Sequence, residues 1–188
     1  MSKSPDNSAT AMETMTLQEL RADFRDGSTV AMPIAGMIVW AALGIAALQL
    51  DEETIATGAL YVMVAIMPLA FLIDKVRGRN LFAGGSDNPL TKQFLLSILI
   101  VGLVVPIAIA GARAGEPLIL VVGMAVLAGV VWIPYGWAAD DPVGIRHAVG
   151  RAIGCYAAFA YVPSPYTATA ICGVVVVSYI YSLAFLRR

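Results

Sequence analysis

Charge is scarce in this chain of 188 residues. Asp, Glu, Lys and Arg make up 13% of it, against roughly 25% in a soluble domain. Hydrophobic residues reach 59%. That imbalance excludes a disordered chain and an ordinary water-soluble globule. Neither sign of charge dominates: 12 basic residues stand against 13 acidic ones, for a net charge of −1. No basic surplus points to nucleic acid. Two cysteines and one histidine are too few for a disulfide scaffold or a cysteine zinc cluster. Long polar stretches are also missing. The longest is the amino-terminal tail, residues 1–28, too short to build a soluble catalytic domain with its own core.

What is present is a series of charge-free runs, at 27–50, 54–73, 93–112, 117–139 and 152–186. About 20 helical residues span the hydrocarbon of a bilayer. The first four runs each fit one span. The fifth, 35 residues long, would exceed 50 Å as a single helix, about 1.5 Å per residue. It contains Pro163-Ser164-Pro165, a turn signal, and divides into two spans there. Asn88-Pro89, Glu116-Pro117, Asp141-Pro142 and Ser164-Pro165 mark helix starts, because proline suits the first helical position after a cap. The runs are apolar on all sides, which excludes the alternating strands of a β-barrel.

The expected fold is therefore all-α: an integral membrane bundle of six transmembrane helices in three hairpins. The spans fall at about 29–50, 54–73, 89–112, 117–138, 142–162 and 165–186. A short cytoplasmic amphipathic helix at about 16–26 precedes them. Thr16-x-x-Glu19 offers a capping box, Leu17, Leu20 and Phe24 share one face, and Gly27 ends it. Alternate connecting segments carry 11 basic residues on one side and 1 on the other. The positive-inside rule then puts both termini in the cytoplasm.

Ionisable groups within membrane helices are functional candidates. Arg151 lies in the fifth span with His147 one turn earlier on the same face. Asp74, Asp140 and Asp141 are its candidate acidic partners on the cytoplasmic side, and Tyr135 a candidate stacking residue. One reading makes these a polar cavity that binds an anion. The preferred alternative lets Arg151 snorkel to the headgroups while Asp141 caps its helix. His147 has too few companions for a metal site, and no metal or cofactor is expected. Cys155 and Cys172 read as packing thiols. Trp132, Tyr135 and Trp137 read as an interfacial belt. Gly84-Gly85-Ser86 lacks the lysine and the strand of a phosphate loop.

Three stretches, LQELRADFR at 17–25, NPL at 88–90 and PYGW at 134–137, resemble a family of small bacterial multi-pass membrane proteins of unknown function. The resemblance implies a six-helix inner-membrane protein and assigns no catalytic residue. Two functions stay open. One is a small-solute or anion transporter or channel centred on Arg151. The other is a non-catalytic accessory subunit that binds a membrane partner, a second copy or lipids. An enzyme ranks below both, because the spans hold no nucleophile–base pair or metal set.

Overall fold

The computed structural model describes residues 15–78 and 87–187. The tail through residue 14 and the Gly84-Gly85-Ser86 stretch lie outside the described residues. The described chain is all-α, and no residue in it is in a strand. The helices are α1 Leu17–Gly27, α2 Ala31–Ala46, α3 Glu52–Val76, α4 Pro89–Arg113, α5 Leu118–Val130, α6 Trp132–Ala139, α7 Val143–Tyr161 and α8 Thr167–Phe185.

Local chemistry sets several of these limits. At α1 the capping box forms: the Glu19 amide donates to the Thr16 hydroxyl at 3.4 Å and the Thr16 amide donates to Glu19 Oε2 at 2.7 Å. Asp51 caps α3 through the Thr54 amide at 2.9 Å, and Asn88 caps α4 through the Leu90 amide at 2.8 Å. Ser164 does not cap α8, contrary to the sequence reading. Its hydroxyl donates to Glu52 Oε1 at 2.7 Å, tying the turn after α7 to the start of α3, and α8 begins only at Thr167. α5 and α6 divide at Val131, where Pro134 has no N–H to offer the Val130 carbonyl. α6 ends on Asp140, which takes the left-handed conformation at φ 53°. Aspartate tolerates that region better than most residues.

α2, α3, α5, α7 and α8 enclose one core built on Trp40, Ile55, Val121, Met124, Cys155, Ile171 and Val175. Two seams need glycine. A Cβ on Gly44 of α2 would meet Cys172 Cβ of α8 at 2.8 Å, and one on Gly144 of α7 would lie 2.5 Å from Gly136 Cα of α6. At the second seam the helices pack backbone to backbone, and at the first the Cys172 side chain packs onto the Gly44 backbone. α4 packs at the edge, and Leu95, Leu96, Leu99, Ile100, Leu103 and Ile107 stay exposed on its outer face.

Four helices, Glu52–Val76, Pro89–Arg113, Leu118–Ala139 and Thr167–Phe185, are long and apolar enough to cross a membrane. The pair α1 and α2, bent by 50° at its junction, makes a fifth if it is counted as one span. Two of the six expected spans thus fall short alone. α2 has only 16 residues. α7 has 19, but Arg146, His147 and Arg151 lower its hydropathy.

Candidate functional site

α7 presents His147 and Arg151 on one face, four residues apart. That face turns inward. His147 is 1% exposed and Arg151 0%. The snorkelling expected of Arg151 does not occur. Its stem instead lies against Gly129 of α5, where an added Cβ would stand 3.0 Å from Cδ and 3.4 Å from Nε. Glycine at 129 makes the room that the arginine fills.

Aromatic rings surround the charge. Arg151 Cζ lies 5.1 Å from the Tyr179 ring centroid and 5.8 Å from that of Trp40. Both distances are within cation–π range. His147 stacks on Trp132, with centroids 4.2 Å apart and planes 16° apart, and meets Tyr179 edge-on at 5.4 Å. Its Nδ1 lies 2.6 Å from Ser182 Oγ on α8, and its Nε2 lies 3.4 Å from Arg151 Nη1. A guanidinium has only donors. With Nη1 as donor and Nε2 as acceptor, the imidazole proton sits on Nδ1, facing Ser182 Oγ.

The rest of the guanidinium is not matched among the described residues. Arg151 Nε and Nη2 are buried with no partner among the described residues, as is the Trp40 indole Nε1. No carboxylate among the described residues pairs with Arg151. The three expected acidic partners bond to other groups, although Asp74 Oδ2 is itself buried without a partner among the described residues. Asp74, itself buried, accepts from the Thr29 hydroxyl at 2.6 Å. Asp140 pairs with Arg21 at 3.1 Å on the exposed surface. Asp141 accepts from the Val143 amide at 2.9 Å and the Arg187 amide at 2.8 Å. Asp141 thus bonds at the start of α7, one residue before the N-cap position, which Pro142 occupies without a side-chain cap.

Tyr135 reaches the site only indirectly. Its ring lies 5.4 Å from Trp132 and 5.7 Å from Phe24 of α1. Of the six residues proposed from sequence, Arg151 and His147 come together, Tyr135 adjoins them through Trp132, and the aspartates stand apart. Trp40, Gly129, Trp132, Tyr179 and Ser182 complete the centre and were not foreseen. Trp40 carries a readable signal, since it lies in mid-run rather than at an end where aromatic belts form. Trp132 is 8% exposed against Trp137 at 55%, so the interfacial explanation suits only Trp137.

A cation this deep needs compensation. Transferring an ion of this size to a low-dielectric interior carries an idealised cost of order 20 kcal/mol, still several after relaxation. Cation–π contacts return about 2 kcal/mol each when desolvated. The difference calls for an anion or ordered water on the free donors. Two surface grooves, one beside Asp51 and Tyr61 and one beside Pro106 and Arg113, are not lined by Arg151.

A family model described as a family of unknown function (DUF7010) matches residues 17–188. No curated protein and no solved structure matches the chain.

Proposed function

The chain belongs to the DUF7010 family of unknown function, and from that premise we propose that it is a multi-pass membrane protein whose buried Arg151 binds a small anion in the course of transport or channel conduction. One observation carries the reading: a fully buried guanidinium with no carboxylate partner and free donors on Nε and Nη2 among the described residues. Charges inside a membrane protein mark substrate or ion pathways, and an unpaired cation selects an anion. The proposed arrangement has six spans with both termini in the cytoplasm. Two contacts support it. Arg21 and the Arg187 amide both meet the Asp140–Asp141 corner, so the two ends of the described chain gather at one end of the bundle, as an even number of crossings requires. In this arrangement α7 crosses with its polar face inward, while Ile145, Val149, Ile153 and Tyr156 look outward.

The accessory-subunit alternative has less behind it. Most of the apolar face of α1, through which a partner could be recruited, is turned onto the chain itself: Phe24 is buried with Leu90, Ala138 and Ala139, and Leu20 packs against them, while Leu17 stays exposed.

The test is anion flux in proteoliposomes, read by a potential-sensitive dye under a nitrate gradient. Wild-type protein is expected to carry a current that Arg151→Met abolishes while the variant still elutes as one species. A wild type that neither conducts nor binds any anion overturns the reading.

A further inference from the structure

We infer, resting on the reading of Arg151 as an anion site, that the ligand is a small planar oxyanion of the carboxylate or nitrate kind, gripped side-on by the Nε–Nη2 edge of the guanidinium. The argument begins with which nitrogens are taken. Nη1 faces the His147 lone pair at 3.4 Å. His147 is itself fixed by Ser182 at 2.6 Å and by the stacked Trp132 ring at 4.2 Å. His147 is thus a positioning residue that sets the rotation of the guanidinium. Nε and Nη2 are left over, and those two atoms share one edge. Their parallel N–H bonds match the spacing of two oxygens on one carbon or nitrogen, the bidentate fork that arginine forms and lysine does not.

The surroundings narrow the ligand further. Tyr179, Trp40 and Gly129 press on the guanidinium and its stem, which restricts the ligand to a few atoms. The Trp40 Nε1–H is also buried without an acceptor among the described residues, and its ring lies 5.8 Å from the guanidinium carbon. The single positive charge of Arg151 suits a monoanion. A doubly charged tetrahedral ion would leave excess negative charge and unfilled oxygens in an apolar centre. A halide would satisfy the charge but use the fork poorly.

The experiment is a titration of the full chain in nanodiscs with sodium nitrate, formate, chloride and sulfate. Tryptophan fluorescence, to which Trp40 contributes from inside the site, and thermal shift are read together. Nitrate and formate are expected to saturate about tenfold or more below chloride, with sulfate weakest. Arg151→Lys keeps the charge and loses the fork, so it should level the series. Chloride or sulfate binding as tightly as nitrate overturns the side-on planar ligand while leaving an anion site at Arg151. No response to any of the four, in protein that melts cooperatively, overturns both. If Arg151→Lys does not fold, the wild-type ranking still decides.

Discussion

At the scale of single residues, Arg151 sets stability and ligand binding against each other. Its charge is buried without a carboxylate among the described residues, a costly arrangement that persists where function needs it. Replacing buried ionic groups with apolar ones of similar volume is often neutral or stabilising, by about 1–4 kcal/mol. Arg151→Met is therefore expected to melt at the same or a higher temperature than wild type without added anion, and to lose the thermal shift that anion gives wild type. Differential scanning fluorimetry in nitrate-free and nitrate buffers checks both halves. A large loss of stability without anion would mean that Arg151 acts as a packing and cation–π element. The sequence makes Arg151 and His147 legible, because charge inside an apolar run stands out and four-residue spacing fixes a shared face. It does not reveal the direction of the side chain. That depends on Gly129 and Tyr179, which come from helices remote in sequence and carry no charge to announce them.

At the scale of elements, the amino-terminal helix was readable from its cap and its apolar face, but its docking was not. α1 is held across the ends of α4 and α6 by the Asn88 side-chain amide, which donates to the Leu20 carbonyl at 2.9 Å and Asp23 Oδ2 at 2.7 Å, and by Arg21, which also lies 5.3 Å from the Trp137 ring. Asn88 looked like a cap alone, because its side chain's second role depends on a residue 65 positions away. The start of α1 should respond to pH. The Thr16 amide, and then the Thr16 hydroxyl, hold the Glu19 carboxyl below its ordinary range. A lowered carboxylate stabilises the fold above its unfolded value, and that stabilisation is lost as pH falls through the folded value. Amide exchange in the first turn of α1 is therefore expected to accelerate on acidification below the ordinary carboxylate range. In Glu19→Gln the same turn should lose most of that pH dependence. Equal pH profiles in the two proteins would remove Glu19 as the cause. α7 shows how hydropathy alone misjudges an element: Ile145, Val149, Ile153 and Tyr156 face out while His147 and Arg151 face in, and the average hides both.

At the scale of the whole molecule, the succession of apolar helices was legible because apolar runs and turn signals alternate along the chain, whereas the order of helices around the core depends on close seams such as Gly44 against Cys172. Six crossings follow from counting α2 and α7 as spans, although α2 is short and α7 is polar on one face. The two assignments can be tested together. Cys155 and Cys172 are buried and can first be replaced by alanine. Single cysteines are then introduced as Gln18→Cys and Arg187→Cys at the proposed cytoplasmic end, and as Glu53→Cys, Glu116→Cys and Tyr166→Cys at the opposite turns. All five positions are exposed. A membrane-impermeant maleimide applied to sealed right-side-out vesicles is expected to label the last three, and to reach the first two only after the vesicles are opened. If α7 fails to cross, residue 166 stays on the cytoplasmic side, α8 then leads outward, and Arg187→Cys labels in sealed vesicles. If α2 fails to cross, the side of every position after it reverses, so Glu53→Cys is protected and Arg187→Cys exposed. The two failures therefore give different patterns. Only an inward-facing Arg151 on a crossing α7 places the free guanidinium edge within the bilayer, where an unpaired charge is most costly and an anion would be held most strongly.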